Sequence, residues 1–207
     1  RPLYLDRVDG HAAWVNSAAL RIAQAQGRSL AGHWHPDAGR IERDAAGQPT
    51  GVLIDAAAGL VSAHIPAHAP EELDRRLERA LQLAVANGLT GVHDMGVSRE
   101  ELARFARFAD AGKLPLRVDA YADGDGQALA DLCREGLYRH PGGRLQMRGV
   151  KLFVDGALGS RGAAMLAPYS DDPHNHGLLM MSPQQHLAAS RKAAQCGVQV
   201  ASHAIGD

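Results

Sequence analysis

The chain carries no excess of one charge. Its 22 lysines and arginines stand against 23 aspartates and glutamates, giving a formal net charge of -1 with the signs interspersed. A basic stripe or patch is the electrostatic footprint of a nucleic-acid or anionic-membrane binder, so the balance argues for no nucleic acid and no membrane partner, and for a small-molecule substrate. No apolar run approaches the roughly 20 residues that cross a bilayer. Cysteine is scarce: Cys133 and Cys196 lie far apart, each inside a helical pattern. They read as reduced packing thiols of a cytoplasmic protein, with a disulfide as the minority alternative. Gly156, Gly159 and Gly162 lack the spacing and setting of a phosphate cradle. Neither Ser160 nor Ser202 sits in a Gly-x-Ser-x-Gly elbow. Nucleotide binding and serine-hydrolase chemistry are thereby disfavoured. The sequence opens at Arg1 without a methionine and stops just after a strand-like run, which sets the expectation of an excerpt from a longer polypeptide.

What the chain does have is alternation. Its 207 residues, 45% of them hydrophobic, suffice for a core. From residue 70 onward helical and strand patterns alternate, the signature of βα units and a parallel sheet. A helix opens at Pro70-Glu71-Glu72, presents Leu73, Leu77, Ala80, Leu81, Ala84 and Val85 on one face, and closes at Asn87-Gly88. Ser98 and Glu101 form a capping-box start for a second helix that ends at Gly112. A third spans Gln127 to Leu137, and a fourth starts at Ser182-Pro183-Gln184-Gln185. Strands are predicted near 90–95, 116–122, 147–154 and 198–203, parallel and neighbouring in order. Residues 1–69 break this rhythm: a short helix follows Asn16, then Gly and Pro recur, which reads as an excursion off the repeat.

Two apolar, β-branched runs carry the chemistry. Gly149–Gly156 contains Lys151, and Val198–His203 ends in His203. An ammonium buried in a sheet is costly unless paired or neutralised. Two readings follow for Lys151: an ion pair with a carboxylate such as Asp155, or carboxylation to a carbamate that bridges metal ions. His203, at a strand end, is either a hydrogen-bonded core histidine or a metal ligand. His33-Trp34-His35 and His174-Asn175-His176 resemble metal pairs in spelling only, since both lie in turn sequences. The long connection after the Lys151 strand is of the kind that builds active sites. Within it Arg161 is read either as a clamp for a substrate carbonyl or carboxylate or as a surface arginine. Asp94 has two readings, a hydrogen-bond partner at the site or a turn cap. His11 and Trp14 sit beside a helix start and form either a roof over the site or ordinary packing of the excursion.

Arg7–Ser17, Thr90–Gly96, the Lys151 run continuing to Arg161, and His203–Asp207, taken in that order, resemble the YtcJ-like group of metal-dependent amidohydrolases, which includes N-substituted formamide deformylases. The Lys151 and His203 strands also resemble those of the urease catalytic subunit. The resemblance implies an α/β fold, a partial (β/α)8 TIM barrel covering roughly strands 2 to 5, with residues 1–69 inserted after an absent first strand and 70–207 forming half of the barrel. It implies hydrolysis of a non-peptide C–N bond, of amide or formamide type, by water activated at one or two ions of Zn2+ or another divalent metal. Lys151 and His203 match the metal ligands of strands four and five. The other ligands, including the strand-eight aspartate that would serve as catalytic base, are expected outside this sequence, which alone would then be inactive. His11, Trp14, Asp94, Asp155 and Arg161 remain the candidate substrate-binding residues. A half-barrel would expose sheet edges, which favours homo-oligomers or association with the absent half. The competing expectation is a non-catalytic interaction or folding module.

Overall fold

The computed structural model describes residues 1–25, 29–124 and 126–207. They form two compact units, one comprising Arg1–Pro66, Val154–Ser182 and Ala204–Asp207, the other Ala67–Phe153 and Pro183–His203.

In the first unit β1 (Tyr4–Asp6), β2 (Ala12–Val15), β3 (Gly39–Arg43) and β4 (Pro49–Asp55) make an antiparallel sheet in the order β1-β2-β4-β3. Period-two alternation explains its two faces. Ala13, Val15, Ile41 and Leu53 point into a core closed by Ala19, Leu20 and Ala23 of α1 (Ser17–Gln24) and Val61 of α2 (Gly59–Ser62). Trp14, paired with Leu5 and Val52, points the other way. Asn16 caps α1 by accepting the Ala19 N–H. The sheet corrects the reading of this region as a helix followed by turns. Arg40 and Glu42 alternate with Ile41 in β3 and hide its strand pattern behind charge, and Gly51, whose positive φ of 96° brings it against the Val15 carbonyl, reads as a turn residue although it lies within β4.

In the second unit α3 (Pro70–Ala86), β5 (Gly91–Val97), α4 (Arg99–Asp110), β6 (Arg117–Ala122), α5 (Gly126–Glu135), the short β7 (Tyr138–Arg139), β8 (Leu145–Phe153), α6 (Pro183–Gln195) and β9 (Gln199–His203) follow in chain order. β5, β6, β8 and β9 are parallel and adjacent in that order, as the alternation predicts, while β7 runs antiparallel to the first part of β8. The Ser98–Glu101 capping box forms in both directions. α3 buries Leu81 and half-buries Leu73, Leu77 and Ala84, but leaves Ala80 and Val85 exposed, so its apolar stripe is narrower than the predicted one.

Two irregularities decide which side chains share a face. Between Ala120 and Tyr121 of β6 the register advances by two residues of β8, from Met147 to Gly149. This bulge turns Gly149, Lys151 and Phe153 to the side opposite Leu145 and Met147. Val118, Ala120, Ala122, Leu145, Met147, Val150 and Leu152 form the buried face, none more than 5% exposed. In β5, Gly96 (φ 90°) makes a second shift that returns Val97 to the buried side beside Ala122.

One cysteine expectation is overturned. Cys133, in the last turn of α5, and Cys196, just past α6, form a disulfide with Cα atoms 5.1 Å apart. Sequence separation concealed the pairing: the βα repeat brings two helix ends 63 residues apart into contact. In the chain-entropy model a loop of this length is worth about 4 kcal/mol. The lone buried residue of α6 among those described, Ala193, contributes about 1 kcal/mol or less. The cross-link joins the last turn of α5 to the residue just past α6. No described helix is long and apolar enough to cross a membrane.

Candidate metal centre

Lys151 and His203 lie on the less buried face of the second unit. In the parallel register Lys151 faces Ala201 and Phe153 faces His203, the last residues of their strands. Phe153 connects the two: the Lys151 Nζ sits 4.8 Å from the centre of its ring, and the His203 ring lies 5.9 Å away at 35°. Lys151 is half-buried, and desolvation pushes its ammonium below the ordinary lysine pKa. Along the same face Tyr121 lies over Gly149, where a Cβ would collide with its ring, and His93 tilts against Tyr121 at 6.1 Å. The face is thus a ladder of His93, Tyr121, Lys151, Phe153 and His203. Three of these, His93, Tyr121 and Phe153, were not among the predicted site residues, although their places on strands β5, β6 and β8 could have singled them out.

Asp94 pairs in register with Ala120 and so belongs to the buried face, away from this ladder. Desolvation first, then the charge of Glu101, raises its carboxyl above the ordinary value.

The remaining candidates belong to the first unit. Asp155, only 2% exposed, accepts the N–H groups of Ala164 at 3.0 Å, Ile205 at 3.0 Å and Gly206 at 2.7 Å. Its carboxylate thus ties the segment leaving the Lys151 strand to the segment leaving the His203 strand. Trp14, 64% exposed, lines a cleft of about 620 Å³ with Arg7, Arg40, Glu42 and Arg161. Arg161 is held in the left-handed region (φ 56°) and paired with Asp171 at 2.9 Å, which keeps its guanidinium firmly charged.

His11 is engaged by a residue the sequence reading passed over. Its Nδ1 lies 2.7 Å from Oδ1 of Asp55, whose side chain is 1% exposed. The second oxygen of Asp55 is buried without a hydrogen-bond partner among the described residues. It abuts Gly156 and Gly162, where an added Cβ would come within 2.7 and 2.5 Å of it. Asp55 also adopts a positive φ of 48°. Strain and an unsatisfied buried oxygen in one residue mark a position held by its surroundings. The signal was present, since Gly51-Val52-Leu53-Ile54-Asp55 is an apolar strand ending in an acid, as is the run leading to Asp155.

Neither His-x-His string builds a metal pair. His35 accepts the Ile41 N–H at 2.9 Å, and desolvation followed by Arg43 and Arg40 lowers its pKa. His174 and His176 are exposed loop residues. Among the described residues no group of three or more His, Cys, Asp or Glu side chains is placed to hold a metal ion.

Comparison with known proteins places the chain in a family. The amidohydrolase family matches residues 1–207, the whole chain. The chain belongs to that family. It is 34% identical to a putative amidohydrolase, YtcJ, of Bacillus subtilis and 31% identical to the N-substituted formamide deformylase of Arthrobacter pascens, matching in each case over its full length but only 39% of the relative's. The crystal structure of a metal-dependent hydrolase from Pyrococcus horikoshii superposes with a TM-score of 0.70 at 29% identity, covering 100% of this chain and 40% of that one. The chain therefore spans about two-fifths of the length of these relatives.

Proposed function

We propose that this chain forms part of a metal-dependent hydrolase acting on a non-peptide C–N bond of amide or formamide type, within a (β/α)8 barrel of which β5, β6, β8 and β9 are consecutive strands. The observation that carries the reading is the placement of Lys151 and His203 on one face, at adjacent parallel strand ends, with Phe153 between them. Enzymes of barrel type build their sites at that end of the sheet. A carbamate oxygen and an imidazole nitrogen suit a borderline-soft divalent cation such as zinc. Two donors fall short of the three protein ligands usual in a catalytic zinc site. They fit as part of a donor set completed from other chain segments.

When bound, one or two divalent ions would supply Lewis acidity and lower the pKa of water. Lys151 would hold them as a carbamate, formed when its neutral amine nitrogen bonds to the carbon of carbon dioxide and releases a proton. The desolvated setting of the lysine favours that neutral amine. His203 would contribute a ring nitrogen, its orientation set by the Phe153 ring. Phe153 and Tyr121 would form an apolar wall that limits water. Trp14 and Arg161 line one cleft of the first unit, where His11 is held by Asp55. For Asp94 and Asp155 we assign structural duties, because one faces the helices and the other is engaged by backbone N–H groups.

The test uses the full-length protein. Metal analysis should return one or two divalent ions per chain, and a panel of N-formyl and N-acyl amines should be hydrolysed. Lys151→Ala and His203→Ala should each lower bound metal and turnover by about a hundredfold or more. A metal-free, inactive full-length protein would overturn this reading in favour of a non-catalytic module, which the two-donor set by itself also accommodates.

A further inference from the structure

We propose that Asp155 is a positioning residue for the metal ligand His203: its buried carboxylate holds the chain leaving β9 and so fixes the backbone that carries the imidazole. The consequence for metal binding rests on the metal-hydrolase reading, while the tie itself does not. β8 and β9 stop pairing at Phe153 and His203, their last residues. Carried two residues further, the same register sets Asp155 against Ile205, and there a side chain takes over from the backbone ladder. Oδ1 of Asp155 accepts the Ile205 N–H at 3.0 Å, and Oδ2 accepts those of Gly206 at 2.7 Å and Ala164 at 3.0 Å. All four residues belong to the first unit, which His203 enters through the covalent chain. Hydrogen bonds to a carboxylate are roughly twice as strong as those between neutral groups. At 2% exposure this carboxylate leaves water little access to compete for them.

The anchor is itself held. Residues 156–163 close on themselves through the Gly156 N–H to the Gly162 carbonyl at 3.2 Å and the Gly162 N–H to the Ala157 carbonyl at 3.0 Å, which brings Ala164 back to Asp155. Beside it the Leu166 N–H donates to Oδ1 of Asp207 at 2.7 Å. Gly206 lies so near Ala164 that an added Cβ would collide with the Ala164 carbonyl. The segment after His203 is thus fixed at Ile205, Gly206 and Asp207 together. Groups outside a metal's own ligands tune affinity by fixing how those ligands are presented. An acid suits this duty where an amide does not, because Asp155→Asn replaces one acceptor oxygen by an NH2 group that meets an N–H donor.

The test uses the full-length protein, first metal-free and then loaded with Co2+, whose visible absorption reports the geometry of its ligands. In the metal-free state Asp155→Asn should speed hydrogen exchange in peptides spanning 204–207 by about tenfold, with those covering 117–122 unchanged. Unchanged exchange over 204–207 would overturn the tie whatever the metal does. In the loaded state Asp155→Asn should weaken Co2+ binding by about tenfold and alter the absorption band. Gly206→Ala displaces the same segment while leaving Asp155 in place; it should act in the same direction, and it carries the test should Asp155→Asn fail to fold. Ser98→Ala, which removes only the cap of α4, should keep the parental affinity and band. An equal change in Ser98→Ala would reduce Asp155 to a general stabiliser and overturn the positioning role. Parental affinity and band in Asp155→Asn, with both lost in His203→Ala, would overturn the proposal and leave the metal reading standing. Absence of Co2+ binding by the parent, or parental binding by His203→Ala, would overturn His203 as a ligand and the positioning role with it, and leave only the tie.

Discussion

Asp94 offers a test of placement at the level of one side chain. Its carboxyl is desolvated, so its pKa in the folded chain lies above the 3.8 of the free group. The folded state then binds the proton more tightly, and stability falls as pH rises from 3.8 through the raised value. Asp94→Asn should therefore be more stable than the parent chain at pH 7, with the difference vanishing in acid. Urea titrations at several pH values measure this, and a stability gap independent of pH would refute the assigned burial. His11→Ala should act in the opposite direction. It leaves the buried Asp55 carboxylate without its 2.7 Å partner, at a cost of about 3 kcal/mol. Asp55→Asn, which keeps an oxygen but loses the charge, should cost less. Chemical denaturation orders the two variants, and an inverted order would show that the pair is not what holds this position.

Elements respond to their ends and to their faces. The box between Ser98 and Glu101 was legible from residue types alone, because a hydroxyl and a carboxylate three residues apart satisfy N–H groups without help from elsewhere in the chain. Ser98→Ala should cost about 1 kcal/mol, read as a shift of the denaturation midpoint. Gly149→Ala should cost about 1–3 kcal/mol by forcing the Tyr121 ring aside. It should also displace the ring from His93, which an NMR ring-current shift of the His93 protons would detect; an unmoved His93 signal would contradict the ladder. The four parallel strands followed from apolar runs bounded by turns. The antiparallel sheet of the first unit did not, since its short strands alternate apolar with charged residues and include a glycine at φ 96°. Nothing local distinguishes such strands from turns until their partners are known.

For the molecule as a whole, the described β5 and β9 each have a single strand neighbour, leaving two open edges on the parallel sheet. Open edges recruit further strands. Analytical ultracentrifugation of the isolated chain should show concentration-dependent self-association, and a strict monomer at tens of micromolar would argue that the edges are protected. The sequence by itself determined the order of the βα units, their helix starts, and the pairing of a lysine strand with a histidine strand. Those features depend on local period and capping, which a few neighbouring residues specify. Only the tertiary structure decided which side chains share a face, because the bulge opposite Tyr121 and the Gly96 shift each reverse the alternation at a point the residue types do not announce. It alone joined Cys133 to Cys196 and His11 to Asp55, partners 63 and 44 residues apart. Such long-range pairs are set by how whole elements pack, and packing is a property of the folded chain rather than of any segment of it.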